Sequence, residues 1–173
     1  ALTPITLNEK VSQIDAGDHT RVVLQNEELY CWGMNDNGQL GINSQSRSST
    51  PKQINPGANF NAMQVDTGGR HTCLLSTQGT IKCWGSGGDN ELGYTDSKSL
   101  LQPRTETIPL PQDFVPSRIY TNFHYSCALS KQGKISCWGN DKSGRLRTGN
   151  VASKSERKQL LDLGQGRHAT TLS

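Results

Sequence analysis

A chain of 173 residues with 18 Gly, 7 Pro and 32% hydrophobic residues has length for one ordinary domain but little apolar material to fill it, so burial must be shared among neighbouring units. A formal net charge of +3 is too small to argue for nucleic acid by itself, and no apolar run reaches the length of a bilayer span. The charge is uneven, because residues 131–173 hold nine Lys and Arg against three Asp and Glu.

Residues 1–10 read as the end of a preceding repeat; they lack the basic flank and apolar stretch of a signal peptide, and the expectation is of a processed or excised product. Repeat 1, residues 11–61, sets out three blocks: Asp15-Ala16-Gly17-Asp18-His19-Thr20, Cys31-Trp32-Gly33, and the run from Gly33 to Gly41 that closes on Gly38-Gln39-Leu40-Gly41. Repeat 2, residues 62–116, returns them as Gly68-Gly69-Arg70-His71-Thr72-Cys73, Cys83-Trp84-Gly85 and a gapless match from Gly85 to Gly93. Repeat 3, residues 117–159, has Phe123-His124-Tyr125-Ser126-Cys127, Cys137-Trp138-Gly139 and a looser run to Leu146, with Arg147 where Gly stood. Residues 160–173 begin a truncated repeat 4 at Gly166-Arg167-His168-Ala169. The Cys-Trp-Gly tripeptides lie 52 and 54 residues apart and hold all three tryptophans of the chain. Polar, Pro-containing stretches at 43–56 and 96–116 read as loops.

Within repeat 2, two strands flank Thr77-Gln78-Gly79, a three-residue link whose Gly sits where a type I turn plus bulge needs a left-handed backbone. That register sets Leu75 opposite Ile81 and Cys73 opposite Cys83. Repeat 3 repeats it around Lys131-Gln132-Gly133, with Leu129 opposite Ile135 and Cys127 opposite Cys137. Both cysteine pairs fall at non-hydrogen-bonded sites, where side chains approach closely enough for a disulfide; the alternative is two buried thiols per hairpin. Alternation sends Cys73, Leu75, Ile81 and Cys83 one way and Leu74 and Trp84 the other, so each hairpin needs neighbours on both faces, as stacked propeller blades provide. In repeat 1, Arg21 replaces the first cysteine and the link Gln25-Asn26-Glu27 has no glycine. Cys31 is then an unpaired thiol buried against the Arg21 stem, or it bridges to a cysteine elsewhere.

Gly-x-x-His-Thr, Cys-Trp-Gly and Asn-x-x-Gly-Gln-Leu-Gly, recurring together over nearly the whole chain, resemble the repeat of the regulator of chromosome condensation family, and look closest to bacterial secreted versions with both cysteines. The resemblance implies an all-β, seven-bladed propeller of four-stranded blades, of which this chain would hold about three blades plus truncated flanking repeats. A full ring of such repeats needs about 360 residues, so the remaining blades are expected from the same or another chain.

No constellation reads as an active site. His19, His71 and His168 share one repeat position, as do Trp32, Trp84 and Trp138 and the glycines Gly33, Gly85 and Gly139, which points to repeated structural roles. No Cys-x-x-Cys or His-x-x-x-His spacing supports a metal, and no cofactor motif is present. Lys142, Arg145, Arg147, Lys154, Arg157 and Lys158 form a basic stretch after the third hairpin, a candidate binding loop; lack of interleaved aromatics argues against nucleic acid. The expectation is a non-enzymatic protein-interaction module with an unidentified protein partner, at an extracellular, periplasmic or cell-surface location where disulfides persist. The resemblance also admits guanine-nucleotide exchange on a small GTPase, or a purely structural role within a larger surface protein.

Overall fold

The computed structural model describes residues 5–7, 9–24, 26–96, 98–142, 144, 146 and 155–161, with 20–24 and 155–161 in backbone only. Its strands form three antiparallel sheets. The first runs β1 (Val11–Ala16), β2 (His19–Leu24), β3 (Leu29–Gly33), β4 (Ser48–Ile54) in chain order. The second holds β5 (Ala62–Thr67), β6 (His71–Ser76) and β7 (Ile81–Gly85); the third holds β8 (Pro116–Thr121), β9 (Tyr125–Ser130), β10 (Ile135–Gly139) and β11 (Ser155–Leu161).

The central hairpins follow from their links. Gly79 and Gly133 take φ of 77° and 75°, the Gly79 N–H donates to Ser76 and the Ser76 N–H to Thr80, which pins Leu75 to Ile81 and Cys73 to Cys83. The third sheet pairs Leu129 with Ile135 and Cys127 with Cys137 in the same way. Each cysteine pair is bonded, at Cα separations of 4.2 and 4.1 Å. In the first sheet Glu27 occupies the left-handed region that glycine fills elsewhere, and Arg21 pairs with Cys31 in backbone register. Every innermost strand carries a bulge at one repeat position, between Val11 and Gln13, Ala62 and Gln64, and Pro116 and Arg118.

Two apolar layers separate the three sheets. Leu74, Val65 and Trp84 of the second meet Leu29, Cys31 and Ile54 of the first; Cys73, Leu75, Ile81 and Cys83 meet Ile119, Ala128 and Trp138 of the third. The second sheet is thus buried on both faces. Position within the stack decides burial: Val65 and Ile119 are 0% and 1% exposed, whereas Ile14, at the same repeat position on the outer face of the first sheet, is 63% exposed.

Two corrections concern the loops. The stretch 43–56, expected as loop, contains β4; its polar residues and Pro51 mark an edge strand, where a missing N–H and solvent exposure are tolerated. Likewise Arg157 and Lys158 lie within strand β11, not in a loop. In the second sheet the fourth strand implied by the resemblance is reduced to its ends, with Leu100 bridged to Gly85 and the Ile108 N–H donating to Ile81. Three prolines, Pro103, Pro109 and Pro111, deplete that segment of donors. Tyr94 packs into the gap, its hydroxyl donating to the Glu106 carbonyl at 3.4 Å.

Candidate interaction surface

The shared blocks of the sequence are spent on joining sheets. The carbonyl of Gln39 accepts two bonds from the second sheet, from Thr72 Oγ1 at 2.8 Å and the Trp84 indole at 3.0 Å. One repeat later the Glu91 carbonyl accepts from Ser126 Oγ and the Trp138 indole, both at 2.9 Å. On the innermost strands the Gln13 carboxamide brackets Val65, donating to its carbonyl at 2.8 Å and accepting its N–H at 3.0 Å; Gln64 brackets Ile119 at 2.7 and 2.9 Å. Asp66 accepts the N–H and hydroxyl of Thr121.

His71 is fully buried with Nε2 2.8 Å from Ser126 Oγ. That hydroxyl has its one proton committed to Glu91, so the imidazole is the donor and holds its proton on Nε2. Such a histidine bridges blades and has no access to a substrate. His19 is buried at the same repeat position. Cys31 is buried and its thiol donates to the Leu40 carbonyl at 2.7 Å. Trp84 and Trp138 are buried, while Trp32, on the uncovered side of the first sheet, is only partly so. Gly33, Gly85 and Gly139 all have φ above 100° and lie against backbone at the start of β2, β6 and β9, where a Cβ would collide.

With these groups engaged, the variable chemistry gathers at the end bearing the β1–β2, β5–β6 and β8–β9 turns and the loops that follow β3, β7 and β10. There Phe123, 46% exposed, lies on Gly69, whose Cβ position is 2.5 Å from the ring, and the Arg70 guanidinium stands 5.7 Å from the ring centroid. Beside it His124 Nδ1 is 3.0 Å from Asp89. Asp36 pairs with Arg47 at 2.7 Å, and the guanidinium holds its carboxyl below the usual range. Lys142 of the predicted basic stretch is exposed at this same end. Arg145, Arg147, Lys154 and His168 lie outside the described residues, and the side chains of Arg157 and Lys158 do also. Among the described residues no group of three His, Cys, Asp or Glu could hold a metal, and no helix is long and apolar enough to cross a membrane.

The sequence reading missed Gln13, Gln64, Phe123 and Tyr94. A signal existed for the first two, since both stand before an apolar residue and an Asp at one repeat position.

Residues 26–75 match the regulator of chromosome condensation (RCC1) repeat, and residues 11–39 and 64–91 match a second description of it. The chain is similar to the ultraviolet-B receptor UVR8 of Arabidopsis thaliana, 28% identical over 82% of this chain and 32% of that protein. It is 32% identical to the X-linked retinitis pigmentosa GTPase regulator of Canis lupus familiaris, over 84% of this chain and 15% of that one. It therefore spans a third or less of these relatives. Among solved structures it resembles human WBSCR16 (TM-score 0.79, 23% identity, 90% of this chain and 39% of that one). It also resembles yeast RCC1 (Prp20) bound to Kap60 (TM-score 0.76, 20% identity, 88% and 37%). The three stacked sheets are accordingly blades of a partial β-propeller, and the chain carries repeats of the regulator of chromosome condensation (RCC1) family.

Proposed function

We propose that this propeller segment is a non-catalytic protein-interaction module of an oxidising compartment, extracellular, periplasmic or at the cell surface, divided into repeats at 11–61, 62–116 and 117–159 with a fourth beginning at 160. One observation carries the reading. The residues common to the repeats are consumed in joints between blades, whereas the end bearing the β1–β2, β5–β6 and β8–β9 turns displays a different set in each blade, centred on Phe123 and Arg70. An exposed aromatic stiffened by an arginine and a glycine floor has the chemistry of a binding hot spot. The two bridges between paired strands favour a compartment in which disulfides persist.

A photo-crosslinking residue at position 123 of the intact protein should trap a partner that the same residue at Gln78, on the opposite end, does not. Adducts from position 78 alone would sink the assignment of this surface. Maleimide labelling of the denatured native protein should modify one cysteine, Cys31; five modified cysteines would sink the compartment.

A second reading, guanine-nucleotide exchange on a small GTPase, draws support from similarity to a protein named as a GTPase regulator and from likeness to yeast Prp20, whose structure was described with its binding to Gsp1p and histones. Accelerated nucleotide release from a small GTPase would favour it over the first.

A further inference from the structure

One repeat position at the variable end has a fixed backbone and a changing side chain. The carbonyls of Asp18, Arg70 and His124 accept the N–H groups of Met34, Ser86 and Asn140 at 3.2, 2.9 and 2.9 Å, and each of those donors follows a Cys-Trp-Gly tripeptide. The main chain is thus held alike in each blade, while the side chains are a carboxylate, a guanidinium and an imidazole. His124 is engaged, with Nδ1 3.0 Å from Asp89. Arg70 is exposed and pairs with no carboxylate among the described residues, in contrast to Arg47 and Arg104, which pair with Asp36 and Asp96. Resting on the reading of this end as a protein-binding surface, we propose that its partner presents a carboxylate to Arg70 and, beside it, an apolar side chain to Phe123.

The second blade is shaped to seat this pair. Its turn reads Gly68-Gly69-Arg70, and the Phe123 ring lies where a Cβ on Gly69 would be, 2.5 Å from two ring carbons. Gly69 takes no left-handed φ, so the glycine supplies clearance for the ring and not backbone freedom. Seated on that floor, the ring is 46% exposed, with the Arg70 guanidinium 5.7 Å from its centroid and the His124 ring 5.0 Å away. Contact with an aromatic ring consumes none of the five N–H donors of a guanidinium, and that planar fork matches a carboxylate bidentately. Holding both side chains in place beforehand reduces the entropy lost when a partner docks. A nucleic acid would instead need a row of cations along its phosphates. Among the described residues the free cation beside the ring is Arg70, since His124 is spent on Asp89, and Asp18 at the same position of the first blade is acidic and exposed. One fork and one ring fit a single acidic residue with an apolar neighbour.

NMR titration of the intact protein tests this, reading the Arg70 Nε–H and Phe123 ring signals. The probes are the capped peptide Gly-Leu-Glu-Leu-Gly, its versions with Gln or Lys in place of Glu, and oligothymidylate. The Glu peptide should shift both sets of signals and bind at least about threefold more tightly than the Gln peptide, the increment of an exposed bidentate ion pair. Arg70→Glu should reverse the order, so that the Lys peptide binds best. Gly69→Ala should weaken binding of the Glu peptide by displacing the ring, with the buried Trp84 indole signal unmoved as the check on folding. Equal binding of the Glu and Gln peptides, tighter binding of oligothymidylate, or no shift with any probe would overturn the carboxylate assignment. A partner trapped by the crosslinking residue at position 123 alongside such a result would leave the surface standing and only its chemistry wrong.

Discussion

The indole Nε1–H of Trp84 donates to the main-chain carbonyl of Gln39 across 3.0 Å, and Gln39 belongs to the preceding blade. Trp138 makes the same bond to Glu91 at 2.9 Å. A side chain of one repeat thus reads a backbone group of another, and any residue at position 39 offers the same carbonyl.

Replacing Trp84 by Phe should cost about 2–3 kcal/mol, from a lost bond and a partly filled cavity. Gly41→Ala should cost about 2 kcal/mol or more, since its Cβ collides with the same indole at a positive φ. Urea denaturation of the double variant should show less than the sum, because removing the indole relieves the collision.

Loss of the Cys73–Cys83 bridge through paired Ala substitutions should lower stability by roughly 2.5–3 kcal/mol on the chain-entropy account, as for the Cys127–Cys137 pair. Thermal melts with and without reductant check this. Reductant should leave the doubly bridge-free variant unchanged.

Burial pushes the Tyr94 phenol up to about 12 from an ordinary 10.0. The unfolded chain therefore ionises first, stability is intact below pH 10, and it is lost as pH rises toward 12. Tyr94→Phe should cost about 0.5–1.5 kcal/mol at neutral pH, through the lost bond to the Glu106 carbonyl, and should flatten the alkaline decline. Denaturant midpoints between pH 8 and 11 give both readings.

Lys82 is buried, with Nζ donating to the Pro56 carbonyl at 2.6 Å and standing 5.1 Å from the Phe60 ring centroid. Burial depresses its pKa below 10.5, with Glu106 partly opposing. The folded chain releases this proton before the unfolded chain does, so Lys82 contributes a rise in stability as pH climbs toward 10.5. Lys82→Met should abolish that contribution, and Lys82→Ala should in addition lose about 2 kcal/mol through the missing stem. Comparing denaturation of the parent and both variants at pH 7 and 9.5 separates charge from packing.

The hairpins were legible because their determinants are local. Gly79 and Gly133 set the turn, the turn set the register, and the register brought Cys73 to Cys83 and Cys127 to Cys137. Alternation showed that both faces of the second hairpin are covered. The outer strands were not legible: β4 is polar and carries Pro51, so an edge strand there reads like a loop, and nothing in the spacing of residues 96–116 announces that Tyr94 substitutes for a strand.

Sequence alone thus determined the repeat, by blocks recurring 52 and 54 residues apart, and the turn chemistry, the registers and the faces needing cover, which are properties of residues within about a dozen positions of one another. The folded arrangement decided which blade meets which, that Gln64 brackets Ile119 and His71 reaches Ser126, and that Phe123 stands out at one end. Those contacts join groups more than fifty residues apart, often through backbone atoms that carry no residue signature, so only packing in three dimensions selects them.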